Sequence, residues 1–341
     1  MNDQERKLCV SCLPGLNGLQ SLAVCMTGVT ISQILGFTRA SFVEFLVENG
    51  IVSQTAACAG ILKFDPFVVE RDAQMLSSWL SIGGHEVVFL GDSDYPRYLA
   101  MGDSPPYRLC VVGSIPAAVT LSVAGTRTPT GLTVCECYRF GLDAALNGTG
   151  IVSSLSAGCD QACAQGVVDA GGRCWVLLPC GPEYPYPACP RLRDAIIGRG
   201  GGLLFPHLPS DVPRKWHFHQ RNDALAGISP WLVLFQGGAA SGVLLCADSA
   251  LRQGRDVAVH RCGAADLPSS RGTHSLVGDG AVVIDGYSRL AEISSELYRR
   301  GEGVRRIASG GLSSVDLRRG ELNGALYRYR NAWYSSDYGQ N

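Results

Sequence analysis

The chain has 341 residues, 46% of them hydrophobic and only 17% charged, with a formal net charge of -1. That composition gives a sizeable core in two or three domains and excludes a disordered chain. The near-zero charge excludes a global pull toward nucleic acid or membrane, so any polyanion has to be met by a local patch.

Residues 1–72 carry apolar side chains at helical spacing, such as Leu16, Leu19, Leu22 and Ala23, then Phe42, Phe45 and Leu46, interrupted by glycines. This predicts a small helical domain with no catalytic constellation. From residue 73 a helix-like AQMLSSWLSIG leads to a short strand, EVVFL, and then, past Pro105 and Pro106, to a second strand, YRLCVVG. Beyond that the pattern alternates. Strands are predicted at 121–124, 150–153, 174–178, 202–205, 231–235, 256–260 and 281–284. Helices are predicted at 132–146, 160–170, 191–197, 223–226, 243–253 and 287–298. Regular alternation signals a parallel sheet covered by helices, and continuous apolar runs such as WLVLF fit strands buried on both faces. The expected architecture is α/β: an extended Rossmann-like, doubly wound, mainly parallel sheet over 73–300. Residues 301–341, rich in glycine, serine and arginine, read as a loosely ordered tail without a convincing winged helix.

Fourteen cysteines without a secretory signal point to reduced thiols in a cytoplasmic protein. The Cys9–Cys12 spacing has no second pair to complete a zinc site, so no metal is expected. No apolar run is long enough to span a membrane.

Ligands of doubly wound sheets sit outside the carboxyl ends of the strands. The residues there are Gly125, Thr126 and Arg127 after one strand, and 153–160, including Ser153, Ser154, Gly158 and Asp160, after the next. Segment 236–242, ending in Ser241 and Gly242, follows a later strand, and RKWHFHQRND precedes it. Hydroxyls, backbone amides and arginine suit an anion, and no acid–base pair points to catalysis. AGTRTPTG is not a dinucleotide fingerprint and no P-loop is present, so no cofactor is expected. Asp160 is predicted to cap the helix it opens, and Asp223 to do the same for the helix beginning DALAG. Lys215, Arg221 and Asn222 interleave with aromatics in a composition that suits a single strand of nucleic acid, or a polar loop anchored by Trp216 and Phe218. Cys159 and Cys163 lie four apart with no local base and read as packing.

Seven blocks in register, DYPRYL, SPPYRLCVVG, AGTR, GIVSSLSAGCD, AGGRCWVLLPCGPEYPYP, QRNDALAGIS and ASGVLLCADSALRQGRDVAV, cover about residues 94–258. The chain resembles the DNA-processing protein A (DprA/Smf) family. That resemblance implies a SAM-like helical domain before the Rossmann domain, and a cytoplasmic homodimer that is not an enzyme. It also implies binding and protection of incoming single-stranded DNA and loading of a RecA-type recombinase in natural transformation. The resemblance puts DNA phosphates at Gly125, Thr126 and Arg127, along 153–160, and at Arg221 and Asn222. Lys215, Ser241 and Gly242 complete the expected contact set.

The chain departs from the family pattern at several places. Ser154 and Ser156 replace a glycine and an alanine, Cys159 an isoleucine, Ala164 a histidine, Asp223 an arginine and Gln236 a glutamate. Residues 260–263 replace a V-P-G ending. Two alternatives stand beside this reading. One is a lysine-decarboxylase-like nucleotide phosphoribohydrolase, which needs an acid where FQGGAASG has none. The other is a family member kept only as an interaction scaffold.

Overall fold

The computed structural model describes residues 3–53, 59–186 and 189–294, and the backbone of 306–307, 326–329 and 332–335. In chain order the elements are α1 Asp3–Ser11, α2 Gly18–Met26, α3 Ile31–Gly36, α4 Arg39–Glu48, α5 Pro66–Leu80, β1 His85–Phe89, α6 Arg97–Ala100 and β2 Arg108–Gly113. Next come β3 Thr120–Ala124, α7 Gly131–Leu146, β4 Gly150–Ser153, α8 Cys159–Asp169, β5 Cys174–Leu177, α9 Pro190–Gly198, β6 Gly202–Phe205, α10 Lys215–Gly227 and β7 Trp231–Leu234. The remainder are α11 Gly242–Arg252, β8 Asp256–His260, α12 Arg271–Gly278, β9 Val282–Ile284, α13 Tyr287–Ile293, β10 Arg306–Ile307, β11 Leu326–Tyr329 and β12 Ala332–Ser335. β1 to β9 belong to a nine-stranded, mainly parallel sheet, the expected α/β class. Among the described residues no helix is long and apolar enough to cross a membrane.

The chain divides into two compact units, Met1–Ala117 with Leu177–Pro187 and Gly202–Ile228, and Ala118–Val176 with Ala188–Gly201 and Ser229–Asn341. The helical segment expected over 1–72 therefore shares its unit with β1, β2, β6 and α10. Its short helices start where the sequence supplies caps. Asn17 Oδ1 accepts the Gln20 N–H at 2.9 Å while Gln20 Oε1 accepts the Asn17 N–H, and Thr30 with Gln33 and Thr38 with Ser41 repeat the reciprocal pattern. Asp65 and Pro66 open α5. Stacked Phe42 and Phe64, with ring centroids 4.2 Å apart, and the buried Leu46 and Leu76 form the core beneath them. β1, β2 and β6 run antiparallel in that order.

In the second unit all strand pairs of the large sheet are parallel, in the order β5-β4-β3-β7-β8-β9. Every residue of β3 and β7 is buried; β7 is apolar throughout, and in β3 the buried Thr120 hydroxyl is paired with Ser229 Oγ at 2.8 Å. Each fully buried valine or leucine contributes about 1.5–3 kcal/mol. α7 and α8 pack closely because Gly141 and Gly166 carry no side chain at the crossing: a Cβ on either would lie 2.0 Å from a carbonyl oxygen of the facing helix, that of Cys163 or Tyr138. This fixes where α8 begins relative to α7.

Sequence and structure agree on these strands to within a residue or two. The principal correction is α10, predicted as a short helix over 223–226 and observed over Lys215–Gly227. Its buried face is built from His217, Arg221, Ala224 and Leu225, so no apolar stripe announces its first half. α12 was also missed. α13 ends at Ile293 within the described residues, and 295–298 of the predicted helix lie outside them. Most of 301–341 is likewise outside; there β10, β12 and β11 form a three-stranded antiparallel sheet.

Candidate functional site

β3 and β7 are neighbours, yet the chain leaves them in opposite directions, toward β4 and β5 on one flank and β8 and β9 on the other. The carboxyl ends of such a pair mark the topological switch point, where open α/β sheets bind ligands. α7, α8 and α11 all begin just past strands β3, β4 and β7, so three helix N-termini, each carrying partial positive charge, lie at the same edge.

The first turn, after β3, is held by Gln236 at the end of β7. The Gln236 carbonyl accepts the Thr126 N–H at 2.7 Å, and its Oε1 accepts the Thr130 N–H at 3.0 Å. Its Nε2 donates to Ser269 Oγ at 2.7 Å and to Ser270 Oγ at 3.3 Å. Gln236 is only 1% exposed, and with both ends of its amide bonded it acts as a clamp. A glutamate, accepting only, could hold the Thr130 N–H but could not donate to the serines. Thr130 caps α7 through the Thr133 N–H, and Arg127 stands exposed at the tip.

The second turn, after β4, interlocks with the first. The Cys159 N–H donates to the Thr126 carbonyl at 3.2 Å. Gly125 lies against Cys159: a Cβ there would be 2.4 Å from the cysteine Cβ. Gly158 has φ +86°, and a Cβ there would meet the Thr126 oxygen at 2.5 Å and Pro129 Cδ at 2.6 Å, so both glycines are required by approach.

Asp160 does not cap α8 as predicted. It is the second residue of the helix, buried, and its carboxylate turns back to accept the Ser154 N–H at 3.2 Å and the Ser154 hydroxyl. The helix N-cap is Gly158, without a side-chain bond. Ser153 Oγ accepts the Leu155 N–H at 3.2 Å, and Ser154 and Ser156 hydroxyls lie 2.7 Å apart. Leu155 takes φ +52°, a left-handed conformation that costs a leucine about 1–2 kcal/mol.

These bonds decide which donors remain. Among the described residues the N–H groups of Arg127, Ser156, Ala157 and Gly158 donate to no acceptor. Four amides, an exposed guanidinium and the α8 N-terminus are what this edge offers an anion. Ser241 caps α11 by accepting the Val243 N–H at 3.3 Å, with Gly242 exposed as its first helical residue. Of the predicted site residues, Gly125, Thr126, Arg127, Ser153, Ser154, Gly158, Asp160, Ser241 and Gly242 thus fall at one edge of the second unit.

Lys215, Arg221 and Asn222 belong to α10 of the first unit. Lys215 is exposed at its start, Asn222 is half-buried, and Arg221 is 5% exposed with its guanidinium carbon 5.9 Å from the Phe218 ring centroid. The segment is a helix rather than the predicted loop, and His217, not Trp216, is its buried anchor; Trp216 is 51% exposed. Asp223 lies mid-helix and caps nothing at its start, another departure from expectation.

Sequence reading missed one cluster at the end of β8. The buried Glu136 of α7 meets Arg261 Nη2 at 3.3 Å and His260 Nε2 at 3.7 Å, and His260 Nδ1 lies 3.1 Å from Cys262 Sγ. Burial holds the His260 imidazole below its ordinary pKa, and burial pushes the Cys262 thiol up to about 12. At neutral pH the thiol stays protonated, so the cluster ties α7 to β8 instead of presenting a nucleophile. The visible signal was H-R-C-G where the family pattern has V-P-G. Cys159 and Cys163 are fully buried, as expected of packing residues.

The model of the family described as DNA recombination-mediator protein A matches residues 86–295. The DNA processing protein DprA of Bacillus subtilis is 28% identical over 204 residues, 59% of this chain and 68% of that protein. Across the first curated relatives the match spans 56 to 68% of their own length. The crystal structure of DNA processing protein A from Streptococcus pneumoniae is similar in fold, with a TM-score of 0.60 at 24% identity, covering 78% of this chain and 98% of that one. That of Helicobacter pylori, solved for its single-stranded DNA binding mode, has a TM-score of 0.53 at 22% identity over 61% of this chain and 94% of that one.

Proposed function

Because the chain belongs to the DNA recombination-mediator protein A family, we propose that it binds single-stranded DNA by its phosphates at the switch-point edge of the second unit. The observation that carries this reading is the pair of interlocked turns, whose unpartnered amides at Arg127, Ser156, Ala157 and Gly158 accompany the exposed Arg127 cation. Backbone N–H groups and a guanidinium read phosphate without reading sequence. Lys215 is a separate exposed cation on the first unit, and Arg221, being buried, supports α10. Gly125, Thr126, Ser241 and Gly242 shape the edge; Ser153, Ser154 and Asp160 keep the second turn in place. The role is non-enzymatic: a cytoplasmic homodimer protects the strand and delivers it to a RecA-type recombinase.

The test is an anisotropy titration of labelled single- and double-stranded oligonucleotides at two salt concentrations. Single strands are expected to bind more tightly, with affinity falling steeply as salt rises. Arg127→Ala should lower affinity for all sequences alike and flatten the salt slope by about 0.7, the share of one phosphate on a single strand. Binding that ignores salt, or an Arg127→Ala variant equal to wild type, overturns the proposal.

A further inference from the structure

At the amino edge of the second unit's sheet, α8 and α9 end in the same backbone closure. After α8 the Gly171 N–H donates to the Val168 carbonyl at 3.0 Å and the Gly172 N–H to that of Val167 at 2.9 Å. After α9 the Gly200 N–H donates to the Ile197 carbonyl at 2.9 Å and the Gly201 N–H to that of Ile196 at 3.0 Å. Gly171 and Gly200 take φ +76° and +75°, the left-handed conformation this closure requires. These carbonyls are therefore satisfied by the backbone, and no cationic side chain is needed to complete them.

Two arginines nevertheless stand there. Arg173 and Arg199 are both exposed, and each is laid against the loop that carries the other. Arg199 Nη1 lies 3.9 Å from where a Cβ on Gly171 would stand, and Arg173 Cδ 3.7 Å from where one on Gly200 would stand. Among the described residues neither guanidinium has a hydrogen bond or an ion pair. The acid that ends α8, Asp169, has both oxygens committed: Oδ1 accepts from Gln165 Nε2 at 2.7 Å and Oδ2 from the Tyr138 hydroxyl at 2.9 Å. Two like charges set side by side repel, and with the helix ends already closed this pair has its full donor capacity open to an anion. The planar fork of a guanidinium suits phosphate.

α8 joins this pair to the switch-point edge. It starts at Cys159, past the carboxyl end of β4, and stops at Asp169, before the amino end of the parallel β5. Its 11 residues make it about 16 Å long. Between its ends the residues that reach the surface are Gln161, Ala162 and Gln165, none of them charged. We propose that Arg173 and Arg199 hold a further phosphate of the same DNA single strand, one helix length from Arg127, with the strand running along α8. Proteins that bind single strands follow the backbone over several nucleotides, and two cationic points joined by an uncharged surface form such a track. Both ends read phosphate alone, so the track is indifferent to base sequence.

The track rests on the phosphate reading of the switch-point edge, and both lie within the second unit. Anisotropy titrations of the full chain with a labelled trinucleotide and a labelled strand of about 20 nucleotides test it. The two linkages of the trinucleotide are neighbours and cannot span α8, whereas the longer strand can. Changing Arg173→Ala and Arg199→Ala together should weaken the long strand by about tenfold and flatten its salt slope by about 0.7, the share of one phosphate. The trinucleotide should bind that double variant like wild type. Arg173→Lys with Arg199→Lys, which keeps the charges, should recover most of the loss. Arg252→Ala, whose arginine is ion-paired with Asp248 at 3.1 Å, is the control and should change nothing. A double alanine variant that holds the long strand with wild-type affinity and salt slope overturns the proposal, and so does an equal loss on the trinucleotide. Failure of the underlying phosphate reading shows separately, as an Arg127→Ala variant that binds both strands like wild type.

Discussion

Gly158→Ala is the sharpest single perturbation of the two-turn site. A Cβ there would lie 2.5 Å from the Thr126 oxygen, 2.6 Å from Pro129 Cδ and 2.8 Å from the Arg127 carbonyl carbon, on a residue at φ +86°. A non-glycine residue held in that left-handed region costs about 1–2 kcal/mol. Two of the three close atoms are backbone, so the first turn must move as a unit, an overpacking cost of about 1–3 kcal/mol more. The expected loss is about 2–5 kcal/mol out of a total stability on the order of 5–15 kcal/mol. Urea denaturation should show a lower midpoint with an unchanged slope, and oligonucleotide affinity should fall because Arg127 moves with the turn. Gly242→Ala is the control: nothing lies within 4 Å of its Cβ position, and the change should stay within about 0.5 kcal/mol. A Gly158→Ala protein with the stability and affinity of the Gly242→Ala control would refute the interlocking of the turns.

Gln236→Leu removes both bonding ends of the clamp, leaving the Thr130 N–H without its acceptor and the serine hydroxyls without their amide donor; thermal unfolding should show a loss of about 1–3 kcal/mol. Ser154→Ala withdraws a hydroxyl donor from the buried Asp160 carboxylate and should cost about 1.5–3 kcal/mol in urea denaturation, with Ser154→Thr closer to wild type. His207 has its folded pKa brought down to about 3 from an ordinary 6.5. Below pH 6.5 the unfolded chain takes up a proton that the folded chain refuses, so the stability is complete above 6.5 and declines as pH falls toward 3, at a slope of up to about 1.4 kcal/mol per pH unit. His207→Asn should flatten the midpoint-against-pH curve over that window; an unaltered curve contradicts the burial of a neutral imidazole.

The sheet was legible in the sequence because its strands are buried on both faces. CWVL and WLVL read as continuous apolar runs, TLSVA as a mostly small and apolar one, and each is followed by a turn and a helix start. The places of the two interlocked turns were legible for the same reason, since they must follow β3 and β4. What was not legible lies where polar side chains do the packing. α10 buries His217 and Arg221 on its inner face and exposes Trp216, the reverse of what hydrophobicity predicts for those types. Gln236 looked like a lost acid, and its role as a clamp depends on Ser269 and Ser270, more than thirty residues downstream. Asp160 looked like a helix cap because acids in the first turn usually favour that end; the choice of Ser154 as its partner is a tertiary fact.

Ser154 also shows how a departure from the family pattern can preserve a site. Where the pattern has glycine, this chain has a serine whose hydroxyl and N–H both serve the Asp160 carboxylate. Asp160 is buried, and an ionised carboxylate there needs donors from its own turn. With the carboxylate satisfied from within, its negative charge is directed into the turn instead of toward an incoming phosphate. The donors that remain are those of Ser156, Ala157 and Gly158, which precede α8 and share the positive end of its dipole. In the proposed phosphate site, the serine therefore leaves recognition to the amides at the end of the turn. On that account Ser154→Gly, which restores the family residue, should weaken oligonucleotide binding here, because Asp160 would lose its hydroxyl donor and compete with phosphate for the remaining amides. An anisotropy titration in which Ser154→Gly binds as tightly as wild type would sink this reasoning while leaving the Arg127 contact untouched.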